Sequence, residues 1–166
     1  MENPDKAIPT LIDTLPQTGI IDWIGIRPER KSQPEVVQEV RVSVANGLEG
    51  DHYSSTSNKN RQVTLIQGEH LDGISSILGK QVQPELTRRN LVIRGINLLA
   101  LRNRRFRIGS AILEGTGYCH PCSRMEENLG PGGYNAMRGH GGITARVIES
   151  GWMKLGDHVQ VLEDQG

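Results

Sequence analysis

The sequence predicts a mostly-β fold, a barrel or rolled sheet with two or three short helices. Twenty glycines and eight prolines among 166 residues indicate many turns. The apolar stretches are short, and several alternate with polar residues, which is typical of half-buried strands. We therefore expect one domain over residues 19–163, preceded by an arm over residues 1–18. The pattern of apolar and polar residues alone does not distinguish a barrel from a sandwich.

The first two strands are predicted from alternation. Gly19 to Ile26 alternates and ends before Pro28, while the stretch from Val36 to Val44 places its last three valines on one face. Shorter apolar runs predict the remaining strands at residues 63–66, 91–93, 106–113, 143–148 and 158–162.

One segment has helical spacing. The apolar stripe from His70 to Leu78 predicts a helix that begins near Gln67 and ends at Gly79. The polar, serine-rich stretch over residues 51–61 predicts a mobile loop.

The charge of the chain is balanced overall but not locally. Nineteen basic and nineteen acidic side chains argue against a general polyanion binder. However, the stretch from Arg88 to Arg107 contains seven arginines and no acidic residue. This run is either a solvated face that acidic residues from elsewhere neutralise, or a surface that binds an anion.

The ends and the cysteine content indicate a cytoplasmic protein. The N-terminus lacks a basic region followed by an apolar one, and no apolar run approaches the roughly 20 residues that span a bilayer. Two cysteines, three residues apart, do not form the disulfide framework of a secreted domain.

The segment over residues 117–125, GYCHPCSRM, contains the most reactive side chains. Pro121 suits the first position of a helix, which would place Cys122 in the first turn, where unpaired N–H groups favour negative charge. A thiolate is a nucleophile and a metal ligand, and Arg124 adds positive charge nearby. Cys122 is therefore a candidate reactive thiolate, and Cys119 a resolving or spectator thiol.

Other interpretations of this segment stay open. A cysteine is often a small buried apolar side chain. A zinc site would recruit His120 or His140, although the sequence has no second cysteine pair. A thioredoxin-like pair would require a βαβ setting, and this segment lies late in a β-rich pattern. The glycines over residues 130–142 are not followed by the Lys-Ser/Thr of a phosphate-binding Walker loop.

The ordered set of motifs resembles MOSC domains, named for the C-terminal domain of molybdenum-cofactor sulfurases. The resemblance covers about residues 19–163. The motifs, in chain order, are GLEGDH at 47–52, RQVTLI at 61–66, TRRNLVI at 87–93, PCSR at 121–124, GGITARV at 141–147 and GDHV at 156–159.

The resemblance implies a β-barrel-like fold and a functional cysteine, which maps onto Cys122. It also implies the molybdenum cofactor (molybdopterin) as the bound group, with Arg88 and Asn90 at the positions where relatives grip the pterin and the phosphate. Some relatives transfer sulfur. Others ligate molybdenum through the cysteine and reduce N-hydroxylated bases. Because this chain resembles neither a desulfurase nor an iron–sulfur protein, its sulfur or electrons must come from a partner protein.

The residue types agree with that chemistry. A soft thiolate suits molybdenum, and a guanidinium fork suits a phosphate. Arg138 and Arg146 are further candidates for cofactor binding, although Arg146 is equally compatible with a structural ion pair. His52 and His140 lie in glycine-flanked loops and are candidate proton donors, since the pKa of histidine lies near working pH.

Three functions follow from the sequence, in order of preference. The first is a molybdenum-cofactor-binding oxidoreductase component that acts on a small-molecule substrate. The second is a persulfide carrier that uses Cys122 as its acceptor. The third is an RNA-binding module built on the arginine run, which is disfavoured because only Phe106 supplies an aromatic side chain there.

Overall fold

A computed structural model of the chain describes residues 7–52 and 59–163, and it confirms the mostly-β fold. The described residues form eleven strands: β1 (Gly19–Ile26), β2 (Glu35–Val36), β3 (Glu39–Ser43), β4 (Gly47–Leu48), β5 (Val63–Gln67), β6 (Leu91–Arg94), β7 (Arg105–Ile108), β8 (Ala111–Tyr118), β9 (Ile143–Glu149), β10 (Gly151–Lys154) and β11 (His158–Val161). They also form four short α-helices, α1 (Ile8–Ile12), α2 (Gly68–Leu78), α3 (Ser123–Leu129) and α4 (Gly133–Met137), where two or three are expected.

Seven strands close into a barrel, so the structure decides between barrel and sandwich. Their order is β11–β7–β8–β9–β5–β6–β1, and β1 pairs back onto β11. Every pairing in this ring is antiparallel except β5–β6. Parallel neighbours need a long crossover connection, and α2 lies in the segment that supplies it. A smaller sheet of β10, β3 and β4 packs beside the barrel.

Alternating side chains fill the barrel interior. Phe106 and Ile108 on β7, and Ile143, Ala145 and Val147 on β9, all belong to one buried apolar cluster. Because successive strand residues point to opposite faces, the intervening residues of these strands lie on the outside. The barrel is therefore closed around a packed core rather than an open channel.

A second apolar cluster forms between the barrel wall and the helices. Ile66 and Val92 on the outer face of the barrel pack with Leu71 and Ile74 of α2 and with Met125 of α3. The predicted stripe on α2 is thus buried, which confirms the helix.

The helix end is also confirmed. Gly79 caps α2 with a φ of 68°, a left-handed conformation that glycine adopts without strain.

Two predicted strands are divided in the structure. The run over residues 106–113 is a hairpin, because Gly109 and Ser110 form a two-residue turn between β7 and β8. The run from Val36 to Val44 contains β2 and β3, and Val44 is exposed rather than on the buried face. Helix α4 and strand β10 are too short, and too interrupted by glycine, to produce a sequence signal.

The described part of the N-terminal arm forms α1, whose side chains are exposed. Arg104 attaches it to the barrel through Asp13 and the carbonyl of Ile12. In the polar loop predicted over residues 51–61, residues 53–58 lie outside the described part of the chain. Among the helices described, none has the length and apolar content to cross a bilayer.

The interior cluster predicts a large cost for truncating Phe106, which is fully buried. We expect Phe106→Ala to lower the free energy of unfolding by about 3–5 kcal/mol, because it removes apolar contacts and leaves a cavity. Ile77→Ala, on the exposed side of α2, should change it by no more than about 0.5 kcal/mol. Chemical denaturation measures both, and a cost for Phe106→Ala as small as that of Ile77→Ala would contradict this core.

Candidate functional site

The site forms around a row of paired residues in the barrel wall. Tyr118 of β8, Ile143 of β9, Leu65 of β5, Leu91 of β6 and Ile24 of β1 are register partners in that order. The segments that leave or enter these strands therefore lie close together. They are residues 25–27, 87–90, 119–122 and 139–142.

Arg89 joins three of these segments. Its guanidinium donates from Nε to the carbonyl of Gly141 (2.8 Å), and from its two Nη atoms to those of Thr87 (2.9 Å) and Cys119 (3.0 Å). A longer contact of 3.4 Å reaches the carbonyl of His120. In the described part of the chain no carboxylate pairs with Arg89, and only 6 % of its surface is exposed. Four backbone carbonyl dipoles therefore stabilise the buried positive charge of Arg89.

Close backbone approach explains the glycine pair at 141–142. A Cβ on Gly141 would lie 2.1 Å from the carbonyl oxygen of Cys119. A Cβ on Gly142 would lie 1.8 Å from the carbonyl oxygen of Leu65. The glycines thus let the loop before β9 contact both β5 and the cysteine segment, where Cys119 N donates to Gly142 O (2.9 Å).

Asn90 lies in a buried polar cluster. Its amide nitrogen donates to Gly25 O (3.2 Å) and to Asp51 Oδ2 (3.1 Å), while its Oδ1 accepts from the backbone and hydroxyl of Thr64. Both donors and both acceptor sites of the amide are thus used within the protein. The predicted contact between Asn90 and a ligand stays a prediction, and it would require one of these bonds to open.

Arg27 was not predicted from the sequence, yet it lies within this cluster of segments. Its backbone N–H donates to Asp51 Oδ2 (3.0 Å), and its buried Nε has no hydrogen-bond partner among the described residues. Burial lowers the pKa of Arg27, and the charges of Arg89 and Arg124 lower it further, whereas Asp51 opposes them. Arg27 thus interacts electrostatically with two further arginines and with Asp51.

Arg88 extends this positive charge toward Cys122. Its backbone has a φ of 60°, which non-glycine residues rarely adopt, and its Nη2 donates to Arg30 O (3.2 Å). Burial lowers the pKa of Arg88, as do the charges of Arg27 and Arg124, while the thiolate form of Cys122 raises it. Arg88 and the predicted nucleophile therefore interact electrostatically.

Cys122 is exposed and Cys119 is buried. The structure corrects the helix boundary, because α3 begins at Ser123, one residue after Cys122. Cys122 has an extended backbone, and its carbonyl accepts from Met125 N (2.9 Å). Pro121 therefore precedes the helix instead of opening it. With 2 % of its surface exposed, Cys119 matches the apolar interpretation of a cysteine rather than that of an accessible thiol.

His52 lies beside Arg27. Its Nδ1 contacts the carbonyl oxygen of Arg27 (3.1 Å) and lies 3.6 Å from Asp51 Oδ1. Because a carbonyl only accepts, Nδ1 must be the protonated nitrogen of this ring. In the neutral form, Nε2 is then the acceptor.

His140 lies in the loop before β9 and packs against α2. Its ring contacts that of His70 edge to face, with 5.0 Å between centroids, and its buried Nδ1 has no partner among the described residues. Burial, followed by the charge of His140, lowers the pKa of His70. His140 thus borders the site through its backbone neighbours, while its ring faces the helix.

The remaining predicted arginines lie apart from these contacts. Arg138 is exposed and donates to Asn135 Oδ1 (3.3 Å). Arg146 lies on the outer face of β9 and forms an ion pair with Glu114 of β8 (2.6 Å), which favours its structural interpretation. Cofactor binding by either residue stays a prediction.

Three of the seven arginines in the basic run are neutralised by acidic residues from elsewhere. Arg94 pairs with Asp22 and Asp72, and Arg105 pairs with Glu114. Arg104 pairs with Asp13. Arg88 and Arg89 are the members of the run that lie in the site.

Two cavities are lined by residues of the site or of its neighbouring segments. One, of about 340 Å³, is lined by Leu99, Tyr118 and residues 119–121 and by glycines of the loop before β9. The other, of about 640 Å³, is more polar and is lined by Lys31, Arg88 and neighbouring residues.

The zinc interpretation finds no support in the described part of the chain. There, no three histidine, cysteine or carboxylate side chains are grouped closely enough to hold a metal ion. A metal that brings its own ligands, and needs one thiolate from the protein, remains compatible with Cys122.

Comparisons with known proteins agree with this fold. The sequence model of one family, the MOSC domain, matches residues 50–160. The YuaD protein of Bacillus subtilis superposes with a TM-score of 0.77 at 18 % identity, covering 89 % of this chain and 98 % of that one. YiiM of Geobacillus stearothermophilus gives 0.73 at 16 % identity, covering 87 % and 75 %. These identities support the fold alone, and a comparison with curated protein sequences finds no match.

The difference in burial between Cys119 and Cys122 predicts two classes of thiol. In the native protein we expect Ellman's reagent to modify Cys122 rapidly and Cys119 only after denaturation, because the thiolate must be accessible to react. Cys122→Ser should remove the rapid phase, and Cys119→Ala should retain it. Two rapid thiols in the native protein would contradict the burial of Cys119.

The histidine pair predicts a pH dependence of stability. The folded-state pKa of His70 lies below its ordinary value of 6.5, so the folded state binds fewer protons than the unfolded state. The stability is therefore fully present above pH 6.5 and falls as the pH drops below it. Melting temperatures from pH 8 to pH 5 should decline less in His70→Gln than in wild type. Equal declines would show that His70 does not cause the effect.

Proposed function

The chain belongs to the MOSC domain family, and from this premise we propose that it binds molybdenum cofactor, with the thiolate of Cys122 as the protein ligand of molybdenum. The family is associated with binding of this cofactor. The observation that carries the proposal is the position of Cys122, an exposed thiol within electrostatic reach of the arginines Arg88 and Arg89.

The side chains present fit such a group. Molybdenum held by a dithiolene is served by a soft thiolate, and Cys122 is accessible to it. The cofactor also bears a phosphate, which guanidinium groups bind through paired N–H donors. Arg27 supports this fit, since its buried Nε lacks a partner among the described residues. An anion in the site would satisfy that donor and offset the clustered positive charge.

The side chains divide into ligand, binding and positioning groups. Cys122 would ligate the metal, and Arg88 would bind the anionic part of the cofactor. Arg89 acts through the backbone, because its four carbonyl contacts fix the loop that carries Cys122. Asn90 and Asp51 act in the same way, by fixing Arg27 through its backbone N–H.

The proposed reaction is the reduction of an N-hydroxylated compound. When bound, the cofactor supplies a centre that transfers two electrons to the N–O bond. With two protons this converts the hydroxylamine to an amine and water. The electrons come from a partner redox protein, and a cytosolic location suits the unpaired thiols.

A histidine near the site would provide a proton. Since Nδ1 of His52 is bound to the carbonyl of Arg27, Nε2 is the atom that would carry and release it. His140 is the second candidate.

A persulfide carrier is the alternative that a specific observation favours. Cys122 is exposed on the surface rather than enclosed in either cavity. Its thiolate would attack the outer sulfur of a desulfurase persulfide, forming Cys122–S–SH and releasing the desulfurase thiolate. This function needs an accessible nucleophile and no resident metal.

Metal and pterin content test the first proposal. The chain should be purified from a host that makes molybdenum cofactor, and molybdenum and pterin fluorescence measured per chain. We expect both in wild type and in Cys119→Ala, and a loss of more than about tenfold in Cys122→Ser, because even outer-shell changes cost about 10–100-fold in metal affinity.

The arginines supply a matched pair for the same measurement. Arg88→Gln should lower the cofactor content, whereas Arg105→Gln, which breaks an exposed ion pair with Glu114, should not. Wild type without molybdenum would rule out the first proposal. If such a chain instead gains one sulfur at Cys122 from a desulfurase, as mass spectrometry would show, the carrier function replaces it.

A further inference from the structure

The smaller cavity has its own chemistry. The side chains of Leu99, Tyr118 and Pro121 make its lining mostly apolar, and its volume of about 340 Å³ is at the small end of the range for small-molecule sites. None of its described lining residues is Asp, Glu, Lys or Arg. A charged ligand there would lose hydration without gaining an ion-pair partner among the lining residues, which is costly.

Tyr118 gives this cavity an exposed aromatic surface. Its side chain lines the cavity and the residue is 42 % exposed, as is the neighbouring Leu99 at 43 %. On one side of the Tyr118 ring lies the guanidinium carbon of Arg102, 4.0 Å from the ring centroid. Because Arg102 is not part of the cavity lining, the ring presents another side to the cavity.

Arg102 also weakens the attraction of the Tyr118 ring for a further cation. A cation on one face draws on the negative charge of the π system, so the ring attracts a second cation less. It still attracts a neutral aromatic ring through dispersion and offset stacking. The ring of His120, 5.9 Å from that of Tyr118, adds a polar group that hydrogen-bonds in either tautomer.

The cavity is continuous with the loop that ends at the reactive thiol. Cys119, His120 and Pro121 line it, and Cys122 follows directly in the chain. The carbonyl contacts of Arg89 with Cys119 and His120 hold this wall in place. A compound in the cavity would therefore lie beside the segment that carries Cys122.

We propose that the cavity between Leu99, Tyr118 and Pro121 binds an uncharged, planar ring compound against the ring of Tyr118, as the acceptor site next to Cys122. The role as acceptor rests on the proposed function, whereas the binding of a planar ring does not. Tyr118 is then the residue that selects flat compounds over puckered ones.

Two amides of matched size test the ring selectivity. Benzamide and cyclohexanecarboxamide share one polar group and differ in the planarity of the ring. Each is titrated into the purified chain, prepared without molybdenum, and binding is followed by protein NMR shifts. Benzamide should bind about twofold to tenfold more tightly, the magnitude expected of one aromatic pair.

Variants of Tyr118 assign the selectivity to its ring. Tyr118→Phe should keep the preference for benzamide and Tyr118→Leu should abolish it, while Trp152→Leu, an exposed aromatic outside this cavity, should keep it. Equal affinities for the two amides in wild type would overturn the proposal. So would a loss in Tyr118→Phe as large as in Tyr118→Leu, because it would assign binding to the hydroxyl group.

The outcomes separate this site from the proposed function. Selective binding of benzamide by a chain that never acquires molybdenum would support the ring site and overturn only its role as acceptor. Benzoate tests the uncharged class, and tighter binding of benzoate than of benzamide would overturn that part of the proposal.

Discussion

The buried guanidinium of Arg89 is the constraint on which the site depends. A charge removed from water must be compensated by oriented polar groups, and here carbonyls of Thr87, Cys119, His120 and Gly141 do so. Those carbonyls belong to three chain segments that are distant in sequence. Their shared contact with one rigid, planar group fixes their mutual positions, and it leaves the next reactive residue, Cys122, on the surface.

The same arrangement concentrates positive charge around that thiol. Arg27, Arg88 and Arg124 interact electrostatically with one another, and Asp51 is the carboxylate that offsets Arg27 and Arg88. Since the chain as a whole is neutral, this local excess is a feature of the fold rather than of composition. An anionic ligand that contains a thiolate-accepting metal would complement both the local positive charge and the exposed thiol of Cys122. The mostly apolar cavity lined by Tyr118 and the more polar cavity lined by Arg88 then give such a ligand and a second compound separate places.

Much of the fold could be predicted from the sequence, because its strands either alternate or form short apolar runs, and α2 has a clear stripe that ends at Gly79. The hairpin at Gly109 was missed because both of its strands are short and apolar, so the sequence shows them as one continuous apolar run.

Among the site residues, Cys122 could be identified from its local segment and from the resemblance of the chain to a family. Arg27 and Arg89 could not, since their positions depend on how β1, β5, β6 and β9 pair in the barrel. Asn90 and Arg146 are plausible cofactor-binding residues by residue type. Only the structure shows that Asn90 contacts Thr64 and that Arg146 contacts Glu114.

The most direct test of the central claim is to replace the sulfur of Cys122 by selenium and record selenium X-ray absorption. Selenocysteine at this position would be introduced into chain purified from a cofactor-producing host. We expect a molybdenum neighbour in the first coordination shell of selenium, in addition to carbon. A selenium atom that has only carbon neighbours, in protein that contains molybdenum, would contradict ligation by Cys122.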